Sequence, residues 1–135
     1  MSNLRDALRG RLLAPRVRRS ETVDLSELLG EAAGTTVVEV RELTGRQKAE
    51  LDMSLLDKNH RPDVAKMKTV KERTICRQVY VPGTEEKVFE LQDLISLHDG
   101  GYSIINVLHD ACERVNGERP GTSQEKNSNE AEGCL

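Results

Sequence analysis

Residues 35–47, Thr35-Thr36-Val37-Val38-Glu39-Val40-Arg41-Glu42-Leu43-Thr44-Gly45-Arg46-Gln47, decide the fold class. Five of the first seven positions are β-branched, and from Val38 onward apolar and charged residues alternate. That is the period of a half-buried strand, over about 36–42. The period then changes. Thr44 stands three residues ahead of Gln47, the form of a capping box, so a helix opens directly behind the strand. A strand feeding straight into a helix, with no repeating βαβ spacing around it, predicts an α+β fold.

Upstream, Glu21-Thr22-Val23-Asp24-Leu25 alternates as well and reads as a partner strand over 21–25. Gly30 and Gly34 mark the connection between the two strands. Downstream, the capped helix runs to about Leu56 and buries Ala49 or Leu51 with Leu55 and Leu56. Residues 57–62, Asp-Lys-Asn-His-Arg-Pro, form a turn. Asp63 to about Arg77 reads as one helix with a thin apolar stripe of Val64, Met67, Val70 or Lys71, and Thr74. Val79–Val81 and Lys87–Phe89 around Pro82-Gly83-Thr84 read as a second hairpin. A short helix over Glu90–Leu97 should bury Leu91, Leu94 and Ile95. The strongest amphipathic helix is Tyr102–Val115, with Ile104, Ile105, Leu108, Ala111, Cys112 and Val115 on one side and Asn116-Gly117 as its C-cap.

The ends differ from this body. Asn3–Leu13 can form a short helix with Leu4, Leu8 and Leu12 on one face, stopped by Gly10 and Pro15. Residues 1–20 thus read as an Arg-rich arm whose later arginines are solvated, residues 21–117 as the folded domain, and residues 118–135 as a disordered tail without apolar periodicity. The expected architecture is a small, mostly helical α+β domain with one or two short antiparallel hairpins and flexible termini.

Composition narrows the function. The chain has 135 residues, enough for one ordinary domain. Tyr80, Phe89 and Tyr102 are its only aromatic residues, which disfavours an aromatic cage or a base-stacking platform. No apolar run exceeds three residues, so no bilayer-spanning helix and no secretory leader are expected. Three widely spaced Cys make a poor disulfide framework and read as reduced thiols of a cytoplasmic protein. The net charge of −3 is sorted into blocks: +5 over 1–19, −6 over 20–57, +5 over 58–77 and −7 thereafter. Such blocks suit protein partners or self-association better than nucleic acid, which calls for an overall basic balance.

No catalytic constellation emerges. His109 and Cys112 lie three residues apart, and Cys76 or His98 could assist them at a metal. But Cys112 falls on the face its helix must bury, which makes it a packed side chain. A Cys/His nucleophile pair from the same residues lacks an orienting group and an oxyanion loop. Gly100-Gly101 has neither the Walker nor the Rossmann spacing. No carboxylate is embedded in an apolar run that would tune it for acid–base work. The reading is a non-enzymatic chain without metal or cofactor.

The order of segments is more specific than any one of them. Thr22-Val23-Asp24-Leu25, a Gly-bearing connection, and Val38-Glu39-Val40-Arg41-Glu42-Leu43-Thr44-Gly45-Arg46 lead into a polar helix. A turn, the step Val88-Phe89, an acidic helix start at Glu90 and the ending Glu113-Arg114-Val115-Asn116-Gly117 follow. Over about 21–117 this resembles the tail assembly chaperones of long-tailed bacteriophages. Their pattern of a V-x-V-R-x-L-T-G strand, an L-F or V-F step and an A-x-R-L-N-G-type ending has the same sequence of parts. The longer Arg-rich arm and Glu90, where Thr-Asp or Ser-Asp is usual, depart from it.

The resemblance implies an interaction protein that coats the long helical tape measure protein in the host cytoplasm and keeps it soluble until tail tube subunits polymerise around it. The residues nominated to grip such a partner are Leu4, Leu8 and Leu12 in the arm and Val64, Met67 and Val70 in the body. Two other classes compete: a nucleic-acid-binding or regulatory module using Arg5, Arg9, Arg11, Arg16, Arg18 and Arg19 on phosphates, and a structural head–tail or tail virion component.

Overall fold

A computed structural model of the chain describes residues 2–14 and 18–118. In chain order the elements are α1 (Ser2–Leu13), β1 (Ser20–Asp24), β2 (Val37–Arg41), α2 (Gly45–Ser54), α3 (Val64–Met67), α4 (Val70–Gln78), β3 (Val79–Tyr80), a 3-10 turn (Leu91–Asp93), α5 (Leu94–His98) and α6 (Tyr102–Val115). The fold is α+β, as the strand–helix junction at 35–47 predicts. The tail beyond residue 118 lies outside the described residues.

The three strands form one antiparallel sheet in the order β1-β2-β3. Val23 pairs with Val38 and Glu21 with Val40 between β1 and β2, while Val40 pairs with Val79 between β2 and β3. Alternation puts Val23, Val38 and Val40 on the covered face. The β1–β2 connection is held by Asp24, whose carboxylate accepts from the Ser26 and Gly34 amides, both at 2.9 Å, and by the Ser26 hydroxyl, which accepts from the Thr36 amide at 2.8 Å. Positive φ at Gly34 (82°) lets the chain reverse there without a side-chain clash.

α6 lies across this sheet and against α4. Ile105, Leu108, Ala111, Cys112 and Val115 recur at helical spacing on its inner stripe and meet Val23, Leu25, Val38, Val40, Ile75 and Val79 in one core. The Thr44–Gln47 capping box forms as read, and Leu51 is the residue α2 buries, Ala49 being exposed. Asn116 caps α6 and Gly117 follows at φ 91°.

Three local expectations need correction. The helix read over 63–77 is two helices, broken at Lys68–Thr69. The Thr69 amide and hydroxyl both donate to the Lys66 carbonyl, at 3.1 and 2.9 Å, so a tight i→i+3 contact takes the acceptor that a continuous α-helix would give to the Val70 amide. The break rotates α4 so that Glu72, Thr74, Ile75, Cys76 and Gln78 face inward. The second hairpin is shorter than read: on the edge of β3 that β2 leaves open it has one bridge, Tyr80 with Lys87, flanked by bonds from the Val81 amide to the Glu86 carbonyl at 2.8 Å and from the Val88 amide to the Val79 carbonyl at 3.1 Å. In the short helix before Gly100 the first turn winds as a 3-10 helix, three residues to the turn. Its inward face therefore falls at Leu97 rather than at Leu91 and Ile95, which are exposed.

Candidate functional site

A groove of about 740 Å³ lies between α2 and α6, with α4 at its base. Leu43, Leu51, Leu55 and Val70 supply its apolar floor, all half-buried or buried. The capping box at Thr44 starts α2 three residues after the end of β2, and α2 forms one wall of the groove. The Asn116 side chain, at the other helix's end, accepts from the Leu43 amide at 3.0 Å and pins the two walls together there.

The rim is charged. Five carboxylates (Glu42, Asp52, Asp110, Glu113, Glu118) face two ammonium groups, Lys48 and Lys71. Lys48 pairs with Asp52 at 3.0 Å along α2, and Lys71 sits 5.9 Å above the Tyr102 ring. His109 Nδ1 lies 3.2 Å from a Glu113 oxygen. Burial lowers the His109 imidazole from its ordinary value, outweighing the charge of Glu113.

The nominated anchors fall into two groups. Leu4, Leu8 and Leu12 lie along α1, where every residue from Asn3 to Ala14 is exposed; Leu4 is 68% and Leu12 80% exposed. Val64 (72% exposed) and Met67 (41%) stand on α3, and Val70 begins α4 at the groove floor. The structure thus keeps Val64, Met67 and Val70 on consecutive short helices and leaves the α1 stripe apart from them.

The arm is not uniformly solvated. Arg18 Nη1 donates to the Glu42 carbonyl and to Gln47 Oε1, both at 3.1 Å, and Nη2 donates to the Tyr80 hydroxyl at 3.4 Å. Arg41 also stacks on this ring, 4.4 Å from its centroid. Burial pushes the Tyr80 hydroxyl up, but the hydrogen bonds from Arg18 and Gln47 and the Arg18 charge outweigh it and leave it below its usual value. The Arg19 carbonyl accepts from the Glu42 amide at 2.8 Å, and the Arg19 amide donates to Glu42 Oε1 at 3.2 Å. Arg18 and Arg19 therefore belong to the body, and the chain enters the fold beside the Glu42–Gly45 end of the groove.

Of the residues weighed for chemistry, Cys112 is fully buried in the core, and burial pushes its thiol up to about 12. Cys76 is buried on α4, its thiol likewise raised by burial, and donates weakly to the Glu90 carbonyl at 3.7 Å. Cys134 lies outside the described residues. Among the described residues no group of three or more His, Cys, Asp or Glu could hold a metal ion, and no helix is long and apolar enough to cross a membrane.

One polar residue escapes sequence reasoning. Glu72 is 4% exposed, with one oxygen 3.2 Å from His98 Nδ1 and the other buried and without a hydrogen-bond partner among the described residues. The signal was its spacing, three and four residues before the buried Ile75 and Cys76. Glu72 ties α4 to α5 and lines neither the groove nor the shallower hollow beside Phe89.

No family model, no curated protein and no solved structure matches the chain.

Proposed function

We propose that this chain is a non-enzymatic phage tail assembly chaperone, whose client is the tape measure protein, held soluble in the host cytoplasm until tail tube subunits take it over. The supporting observation is that Val64 and Met67 stand uncovered on α3 while Val70 opens onto an apolar groove floor. The resemblance over 21–117 supplies the client's identity, and the surface supplies a mechanism.

A tape measure segment presents aliphatic stripes that aggregate in water, so each stripe needs reversible cover. A few aliphatic anchors flanked by charge give a modest site of the helix-in-groove kind. Many copies along one long client then hold it firmly, while each copy can still be displaced singly.

The six arginines offered as a phosphate-binding arm are not equally free for that role. Arg18 is committed to Glu42, Gln47 and Tyr80. Co-expression with the tape measure protein tests the proposal. The client should turn soluble and co-purify with the wild-type chain, and Met67→Asp should weaken that association while leaving the helix content unchanged. A client equally insoluble with and without the chain overturns the reading. DNA binding whose affinity falls with a log–log salt slope on the order of −5, as about six phosphate contacts require, would replace it.

A further inference from the structure

We propose that α1 of one copy docks in the α2–α6 groove of a second copy, so that the free protein is a reciprocal dimer. The inference stands on α1 and the groove alone and holds whatever the client is.

α1 is a helix that nothing on its own body supports. It has 12 residues, the length at which an isolated helix is marginal in water, and Gly10 interrupts its interior. Yet Leu4, Leu8 and Leu12 repeat at i, i+4 and i+8, the spacing of a stripe built to be covered, and all three are exposed. A helix with that pattern gains its stability from a surface, and that surface is not the domain it precedes.

The groove matches it in length, polarity and charge. Twelve helical residues span about 18 Å and the ten of α2 about 15 Å, so α1 lies along the floor without overhanging by more than a turn. The floor offers Leu43, Leu51, Leu55 and Val70 to the leucine stripe. The rim carries five carboxylates against two lysines, whereas α1 carries Arg5, Arg9 and Arg11 against Asp6. Charge complementarity of this kind orients a helix in a groove and speeds its capture.

The occupant is a second copy rather than the same chain. Only Ala14, Pro15, Arg16 and Val17 separate α1 from Arg18, which is fixed at the groove's Glu42 end. Within the chain α1 covers no part of that groove, since every residue from Asn3 to Ala14 is exposed. An uncovered apolar helix and an uncovered groove of opposite charge on the same chain favour exchange between copies, and reciprocal exchange closes as a pair.

Sedimentation of the full chain over a range of concentrations decides this. The wild type should approach twice 15.1 kDa as concentration rises. Leu8→Asp, at an exposed position that leaves the body intact, should sediment at 15.1 kDa throughout with its circular dichroism nearly unchanged. Asp110→Lys on the rim should also weaken the pair. Mixing the two variants should restore an association, because the first keeps a sound groove and the second a sound α1. A wild type that stays at 15.1 kDa overturns the proposal, including the case in which α1 covers its own groove. So does a dimer that Leu8→Asp leaves intact. Neither result bears on Met67→Asp and client binding.

Discussion

Replacing Gln78 with leucine should destabilise the domain by about 2–4 kcal/mol, although the new side chain is nearly the same size and more apolar. Gln78 is fully buried at the end of α4. Its Nε2 donates to the Arg41 carbonyl at 2.8 Å and to Asn116 Oδ1 at 3.1 Å, and its Oε1 accepts from Asn116 Nδ2 at 3.2 Å. Asn116 Oδ1 keeps the Leu43 amide as a second partner, so it is not orphaned by the substitution. The Arg41 carbonyl and Asn116 Nδ2 lose the Gln78 bonds. Each buried group left unpaired costs roughly 1–3 kcal/mol. Burying leucine instead of an amide returns about 1–2 kcal/mol. The unpaired groups win.

Denaturant unfolding followed by circular dichroism measures the loss, and for a domain of about 100 residues the melting temperature should fall by roughly 10–20 °C. A double-mutant cycle sharpens the test. Asn116 sits at φ −77° and ψ −5°, a conformation alanine adopts freely, so Asn116→Ala removes the partner without backbone strain. Once Asn116 is gone, Gln78→Leu has less left to break. The double variant should therefore be more stable than the summed single losses by about 1 kcal/mol or more. Strict additivity, or a Gln78→Leu loss below about 0.5 kcal/mol, would refute the idea that this amide pair holds three elements together.

The other predictions concern titratable groups. With Cys134 replaced by serine, Cys112 should resist alkylation in the native protein at pH 8, since a thiol at about 12 is ionised some three orders of magnitude less than a free one; peptide mass spectrometry showing labelling at the denatured rate would count against its burial. Hydrogen bonds from the Ser26 side chain and from the Ser26 and Gly34 amides hold the Asp24 carboxyl below its ordinary value. A depressed carboxylate stabilises the fold above its unfolded pKa and loses that contribution as pH falls through the folded one. Melting temperature should thus decline on acidification below about pH 4, and Asp24→Asn should flatten the decline; parallel curves would show that the loop does not depend on this charge.

Legibility followed the strength of the local pattern. The strand–helix junction at 35–47, the capping box, the inner face of α6 and its Asn116-Gly117 end were all readable, because each is fixed by residues within one or two turns of each other. What the sequence concealed depended on competition between distant or equivalent partners. Thr69 sits where a helix of nominal length could continue, but its amide and hydroxyl both turn back to the Lys66 carbonyl. Lys87–Phe89 has strand composition, but β3 is only two residues long and offers it a single bridge. Arg18 is indistinguishable from its neighbours in an arginine run until Tyr80, 62 residues away, is folded next to it. The groove was not legible, since its lining comes from α2, α4, α6 and residues 42–45, which no single periodicity brings together.

The way the fold is held bears on why its surface can be given over to binding. The ties that fix the walls of the groove are polar and half-buried: the Gln78–Asn116 amide pair, the Leu43 amide on Asn116, and Arg18 across Glu42, Gln47 and Tyr80. The core beneath is closed by α6, α4 and the sheet without any contribution from α1 or α3. Exposed leucine, valine and methionine on those two helices thus contribute little to folding, and a charge placed there should leave the domain standing. Their apolar character calls for another explanation, since an exposed stripe raises the risk of aggregation and returns no stability to the free monomer. Cover supplied in trans removes that risk and accounts for the charge of α1 and the opposite charge of the rim together. It also sets an upper limit on strength, because three leucines on a helix ordered only when bound must offset the entropy of ordering it. A contact of that modest kind can be exchanged, which is what a protein that must let go of its partners requires.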